Sequence, residues 1–349
     1  MTGVADRWAR TDDGSMTDDM PTDRATGRGS VGVGSVEVGS VDPGSVEVGS
    51  VDPGSDVGSV APGSVDVGAV DPREVALVTA AIDGDAVAAT EIMRGLQDPI
   101  YRLALRMTGR PADAEDATQE ILLRVFTRLA TWRGEAKLLT WAYRIAVNHL
   151  LNTRRRSPQE AAQLSLDAFG DLLVEGLTAD HRGPEAELLA TEVRLQCSQA
   201  MLQCLTREER IAFVLDDVFD VGSADAAWIL DLTPAAYRKR LERTRKRLRA
   251  FLTSTCGHAS AQARCRCSRR IAQAVSTGRI DPRRPELSTH PVPGAGRSAA
   301  EAEQQMIALH DAAAVLRIHP DYAFPRATAD AVAGLLRSGR FSLLSDASE

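Results

Sequence analysis

From Glu74 to Met107 the apolar side chains Val75, Val78, Ile82, Val87, Ile92, Leu96, Ile100, Leu103 and Leu105 recur mostly at steps of three to five residues. That is the spacing of one buried helical face. Asp83-Gly84 interrupts the pattern and Gly109, with Pro111 just beyond, ends it, so two helices are predicted. Asp113 to Leu129 predicts a third helix, with Ile121, Leu122, Val125, Phe126 and Leu129 on its inner side. After a break at Trp132-Arg133-Gly134-Glu135, Leu139 to Arg156 predicts a fourth. No strand-like alternation of useful length appears, so residues 74–156 read as an all-α domain.

Residues 157–184 contain Ser157-Pro158, Gly170, Gly176 and Gly183-Pro184 and read as a linker with at most short helical turns. A second helical domain follows over 185–253. Thr206-Arg207-Glu208-Glu209 is a capping box, in which the hydroxyl and the carboxylate three positions later each satisfy an orphan amide. Thr233-Pro234 places a capping hydroxyl before a proline at the first helical position, where a missing N–H is harmless. Between the two caps, Ser223 to Leu230 is a short segment with Ala224, Ala227, Ile229 and Leu230 small or apolar. A short helix, a tight connection and a longer helix make the helix-turn-helix pattern.

Charge sharpens that picture. Thirteen acidic side chains and five Arg put −8 in residues 1–73, so the other 276 residues of a chain with net charge −7 sum to +1. Within them, Arg238 to Arg249 holds eight Lys or Arg and one Glu. With Tyr237, Leu241 and Leu248 turned inward, Arg238, Lys239, Arg240 and Arg243 face outward, where phosphates and guanine edges of a major groove could meet them. A solvated basic face is what such a run means in isolation; the capped helix and its short partner favour duplex DNA.

From Gly29 to Pro72 the chain is a five-residue repeat, GSVEV and GSVDP in turn and then degenerate copies. Its Gly and Pro resist helix and sheet, so residues 1–73 are expected to be a disordered acidic tail. The 44% hydrophobic content excludes disorder of the whole chain. No apolar run reaches the roughly 20 residues a membrane span needs, and no apolar stretch follows the first charges as in a signal peptide. A cytoplasmic protein with reduced thiols and no membrane partner is the expectation.

Two further surfaces carry candidate chemistry. Asp113, Asp116 and Glu120 fall at i, i+3 and i+7 on one helix face, with Gln119 beside them; carboxylates in a first turn also suit the helix dipole. No His or nucleophile is in register with them. Trp132, Trp141 and Tyr143 bracket a polar loop, and Arg144, Asn148, Asn152 and Arg155 form a polar stripe on the next helix. Aromatics beside a basic surface suit unstacked bases of single-stranded DNA, although Trp141 as core and the Arg run as a helix end would explain the same residues.

Taken in order, these motifs resemble a known family. Asp113-Ala-Glu-Asp116 with Gln119-Glu120, Trp132-Arg-Gly-Glu135, and Thr140-Trp-Ala-Tyr-Arg-Ile-Ala146 with Asn148 resemble region 2 of the extracytoplasmic-function (ECF) sigma factors of bacterial RNA polymerase. Arg238-Lys-Arg240-Leu241 and Arg243-Thr-Arg-Lys-Arg-Leu248 after a helix-turn-helix resemble their region 4. The resemblance spans about residues 74–253. It implies that Asp113, Asp116, Gln119 and Glu120 dock on the β′ clamp of core polymerase, with the β flap as a further contact. It implies that Trp132, Lys137, Asn148, Asn152, Arg154, Arg155 and Arg156 melt and capture the minus-ten element. Thr233, Ala235, Ala236, Arg238, Lys239, Arg240 and Arg243 would then read the minus-thirty-five element. Two departures are visible: Asp231 stands at the turn position usually held by Gly, and Val221-Gly-Ser-Ala-Asp225 lacks the usual apolar residue followed by Glu.

Beyond Phe251-Leu252, Cys256-Gly-His258 and Cys265-Arg-Cys267 supply four thiolate or imidazole groups, a set that tetrahedral Zn²⁺ accepts. Inert structural thiols and redox-sensing thiols fit the same spacing, and Cys197 and Cys204, seven apart on one helix face, fit small core residues. Residues 254–298 read as this Cys-bearing segment and a Pro/Gly/Ser-rich linker. Residues 299–349 read as a helical extension with helices at 299–318 and 327–338. An extension of that size needs a surface to pack on and is expected to modulate promoter or polymerase binding, in place of or beside an anti-sigma factor.

The sequence therefore predicts an all-α, non-enzymatic promoter-specificity subunit that needs no cofactor. A stand-alone helix-turn-helix regulator is the competing reading. It leaves the Asp113 face and the Trp132 loop without a purpose.

Overall fold

The first helix, α1 (Pro72–Ile82), begins where Asp71 accepts the Arg73 amide at 2.8 Å and Pro72 takes the first helical position. Asp85 does the same for α2 (Ala86–Thr108), accepting from Val87 and Ala88. Gly109, at φ 81°, ends α2 in the left-handed conformation that glycine adopts without strain. Pro99 lies inside α2 and removes one backbone bond; burial of Leu96, Ile100, Tyr101, Leu103 and Leu105 keeps the helix whole. Next come α3 (Pro111–Thr127), a single 3₁₀ turn at Leu129–Thr131, and α4 (Leu138–Asn152). Ile100, Leu103, Ala104, Ala114, Ile121, Leu122, Val125 and Ala142 are wholly excluded from water and form the centre of this first domain.

The computed structural model describes residues 70–153, 158–162, 164–290 and 319–337, all within one compact unit. The repeat tail through residue 69, the Arg154–Arg156 run and the expected helix at 299–318 lie outside the described residues. The helix expected to run to Arg156 leaves helical geometry at Thr153 (φ −64°, ψ 136°). There Arg207, from a later helix, donates to the carbonyls of Leu150, Leu151 and Thr153 and satisfies the acceptors that another turn would have used.

The segment expected to be a linker holds more structure than short turns. A single turn, α5 (Pro158–Ala161), precedes the ten-residue helix α6 (Leu166–Glu175), capped by Ser165. Leu166, Phe169 and Leu173 are buried, and Phe169 stacks on Phe251 with ring centres 5.9 Å apart. A side chain at Gly170 would crowd Thr255 and Phe251, so the two helices approach closely because that position is bare.

The second domain comprises α7 (Ala186–Gln203), α8 (Arg207–Phe213) running into a π turn at Val214–Val218, α9 (Ser223–Ile229) and α10 (Pro234–Thr255). Both reciprocal bonds of the Thr206–Glu209 capping box are present, and Thr233 caps α10 through the Ala236 amide. Past α10 come a 3₁₀ turn at Cys267–Arg269 and α11 (Ile271–Ser276). Where a loose Pro/Gly/Ser linker was expected, Ile271, Ala274 and Ile280 instead make a small second core with Leu189 and Val193 of α7. The final helix, α12 (Arg326–Arg337), packs on α2 and α3 within a residue of its expected bounds. The fold is all-α: among the described residues only an isolated bridge between Cys256 and Cys265 is extended.

Candidate polymerase and promoter interfaces

The helix-turn-helix is built from α9 and α10. Ala226, Ala227 and Ile229 are buried on α9, and Tyr237, Leu241, Thr244 and Leu248 on α10. The Tyr237 hydroxyl donates to the Ala212 carbonyl at 3.0 Å, fastening the second helix to α8. The connection turns at Asp231, which holds φ 55°, the left-handed conformation a glycine would take more easily. Thr233, Ala235, Ala236, Arg238, Lys239 and Arg243 are exposed on the opposite face and Arg240 is half-buried. Thr233 has a structural duty as the helix cap. Of the later cations, Arg245 pairs with Asp216 (2.6 Å) and Asp217 (2.9 Å) and Arg247 with Glu209 (2.5 Å), while Lys246 and Arg249 are exposed. Arg238, Lys239 and Arg243 make no ion pair among the described residues, so their charge points outward.

The aromatic loop of the first domain is differently arranged from the expectation of an open stacking platform. Trp132 is 8% exposed and its ring N–H donates to the Ala136 carbonyl at 2.9 Å, so it supports the loop from beneath. Tyr143 is buried and stacks on Phe219 at 6.3 Å; Trp141 is half-buried against the core. Lys137, Asn148 and Asn152 are exposed, and the Asn152 amide donates to the Asn148 carbonyl at 2.7 Å. Arg144 bridges the domains: it donates to Asp231 at 3.3 Å and lies 4.6 Å above the Trp228 ring. Across the same contact, partial burial raises the Asp225 carboxyl and Lys137 opposes the rise.

On α3, Asp116 and Glu120 are exposed and Asp113 and Gln119 half-buried. Glu120 accepts from Arg124 at 2.5 Å, which holds its carboxyl below the usual range. Asp113, Asp116 and Glu120 border a cleft of about 150 Å³ whose far wall is His149, Thr153, Glu160 and Arg207. Sequence reasoning missed what organises that wall. Arg210, wholly buried, donates to the carbonyls of Leu202, Met107, Gln203 and Leu205 and pairs with Glu160 at 2.6 Å. Burial raises the Glu160 carboxyl, and bonds to Arg207 and Arg210 more than reverse the effect. The signal was a cation in the inward register of α8, one turn before Phe213 and Val214.

Four of the five cysteines lie around one place. Cys197 of α7, Cys256 at the end of α10, Cys265 and Cys267 line a cavity of about 40 Å³ together with His258. The His258 Nε2 atom is 3.5 Å from the Cys267 sulfur. Burial, then Cys256, Cys267 and Cys265, push the Cys197 thiol well above its ordinary value. As the side chains stand, no three His, Cys, Asp or Glu groups among the described residues are gathered to hold a metal ion. Cys204 lies apart, its thiol donating a hydrogen bond to the Ala200 carbonyl and pushed up to about 12 by burial.

The fold and these surfaces define a two-module, all-α protein whose second module is a helix-turn-helix. The sigma-70 region 2 family model matches residues 92–158 and the sigma-70 region 4 model residues 195–248. The chain is 31% identical to the ECF RNA polymerase sigma factor SigE of Mycolicibacterium smegmatis, over 50% of this chain and 67% of that one. It is 30% identical to SigW of Bacillus subtilis, over 48% of this chain and 91% of that one, and 27% identical to the sigma-H factor of Pseudomonas aeruginosa, over 49% and 89%. The chain belongs to the ECF RNA polymerase sigma factors. It acts in initiating transcription through its region 2 and region 4 domains, in relation to RNA polymerase and promoter DNA. No described helix is long and apolar enough to cross a membrane.

Proposed function

We propose a division of labour among the three surfaces. Asp113, Asp116, Gln119 and Glu120 dock on the β′ clamp of core polymerase, and the region 4 domain meets the β flap. Lys137, Asn148 and Asn152, continued by Arg154, Arg155 and Arg156, take the opened strand of the minus-ten element, with Trp132 shaping the loop that presents them. Ala235, Ala236, Arg238, Lys239, Arg240 and Arg243 enter the major groove of the minus-thirty-five element, and Thr233 caps the helix that carries them. The protein works in the cytoplasm, where the polymerase is. The C-terminal extension tunes these contacts, in place of or beside an anti-sigma factor; burial of Tyr322 and Phe324 beside α2 supports its being an integral layer of the fold.

The observation that carries the reading is the outward, unpaired charge of Arg238, Lys239 and Arg243 on the first turns of a capped helix, in which Arg245 and Arg247 are tied to carboxylates. In vitro transcription with core enzyme tests it. Arg238→Ala should weaken minus-thirty-five recognition by about 1–3 kcal/mol if it reads a base, or lower the salt slope by about one if it meets a phosphate. Asp116→Ala should weaken association with core enzyme and leave affinity for free DNA unchanged. Equal losses in both assays for both variants would contradict the division.

A further inference from the structure

The cysteine cluster is unused by any of these surfaces. Its members come from distant parts of the chain: Cys197 sits in the first helix of region 4, and Cys256, His258, Cys265 and Cys267 follow the last. The loop carrying the latter group is braced. Gly257 N–H bonds the Cys265 carbonyl at 3.0 Å, Cys265 N–H the Thr255 carbonyl at 3.3 Å, and Ala259 and Ser260 N–H the Cys256 carbonyl at 3.0 Å. A side chain at Gly257 would strike the Cys265 carbonyl and the Arg266 guanidinium, so the Cys-Gly-His turn is closed as tightly as a bare glycine allows.

The spacing inside the cluster matters more than its composition. A tetrahedral zinc with Zn–S of about 2.3 Å and Zn–N of about 2.0–2.1 Å sets sulfur and nitrogen about 3.6 Å apart. His258 Nε2 and Cys267 Sγ stand at 3.5 Å, one edge of that tetrahedron. The other thiols border the same small cavity of about 40 Å³. Arg194 and Arg270 also line it, so the negative charge of a thiolate-rich zinc centre would have cations beside it.

We propose that Cys197, Cys256, Cys265, Cys267 and His258 provide a site for one thiophilic cation of the zinc class, with Cys197 as the ligand that fastens the extension to region 4. Rotation of the thiol side chains toward the cavity fills the four positions with Cys197, Cys267, His258 and one of Cys256 or Cys265, His258 and Cys267 already standing 3.5 Å apart. The ion then clamps α7 to the segment after α10, behind the helix-turn-helix. The proposal is independent of the assigned promoter and polymerase contacts, because its readout is metal uptake.

The test uses the full chain, purified under reductant, stripped with a chelator, and titrated with Zn²⁺ against a chromophoric competitor and separately with Co²⁺. The wild-type chain should take up one equivalent and show the ligand-field and sulfur charge-transfer bands of tetrahedral thiolate-bound Co²⁺. Cys197→Ser and Cys267→Ser should each weaken binding by more than about 100-fold, beyond the roughly 10–100-fold that losing an outer partner costs. Cys204→Ser should bind as wild type does. Absence of stoichiometric uptake by the wild-type chain, an octahedral Co²⁺ spectrum, or a Cys197→Ser chain that binds undiminished would each overturn the proposal. Because the first two readings come from the wild-type chain, a variant that fails to fold cannot rescue it.

Discussion

Replacing Arg210 by Met isolates what the buried guanidinium does for the fold. In the native protein it is wholly excluded from water and donates to the Leu202 carbonyl at 2.9 Å, Met107 at 2.5 Å, Leu205 at 3.2 Å and Gln203 at 3.4 Å, while pairing with Glu160 at 2.6 Å. Leu202 and Gln203 close α7, Met107 lies in the last turn of α2, and Glu160 comes from α5, so one side chain satisfies acceptors on three helices. Removing one partner of a buried pair costs about 3–5 kcal/mol. Arg207 still holds Glu160 at 3.1 Å, which moderates the electrostatic part, but the four carbonyls keep no substitute donor from Met. A loss of about 3–5 kcal/mol follows. For a folded body of 150–250 residues that is roughly 6–20 °C in Tm. Urea unfolding followed by circular dichroism, with calorimetry as a second probe, measures it. Adding Glu160→Leu should recover only part of the loss, since it removes a carboxylate left with Arg207 as its one cation and leaves the carbonyls. An Arg210→Met chain within about 1 kcal/mol of wild type, or full recovery in the double variant, would refute the account.

Two other outcomes are expected. Glu192, with no exposed surface, accepts the amides of Glu286, Leu287 and Ser288 at 2.7–3.2 Å; Glu192→Gln turns a donor toward them and removes the charge, about 1.5–3 kcal/mol for such a bond. Amide exchange at those three residues should accelerate about 10–100-fold, and unchanged protection would count against Glu192 as their anchor. The second concerns acid. Burial, then Arg106, hold the His319 imidazole well below 6.5, and burial lowers His290 as well. The unfolded chain thus binds more protons than the native one, so this stability is complete above the unfolded value near 6.5 and falls as pH drops below it. Unfolding midpoints should decline between about pH 6.5 and 5 more steeply in wild type than in His319→Gln; parallel curves would show that His319 does not govern the decline.

The helices were legible where side-chain period and end signals agreed. Asp83-Gly84, Gly109, Thr206 and Thr233 marked ends that the backbone respects. Helix α6 was missed because Gly170 and Gly176 read as loop, although Ser165 followed by Leu166, Phe169 and Leu173 is a cap and a helical face. Gly170 is there for close approach to α10, a tertiary reason that composition hides. Trp132 and Tyr143 were legible as a group, yet whether an aromatic ring is a platform or a prop depends on neighbours such as Ala136 and Phe219 that lie beyond the local pattern. Arg210 and Cys197 were opaque for the same reason: each acquires its role from segments far along the chain.

The Arg144–Asp231 pair and the Tyr143–Phe219 stack put α4 of region 2 within touching distance of the region 4 domain. On a promoter the two elements are separated by about 25 base pairs, roughly 85 Å at about 3.4 Å each. The thirteen residues from the end of α4 to the start of α6 reach at most about 45 Å. If each domain takes the element proposed for it, the remainder has to come from the girth of the two bodies or from α6 peeling off α10, and the Phe169–Phe251 seam then sets how far the chain can stretch along DNA.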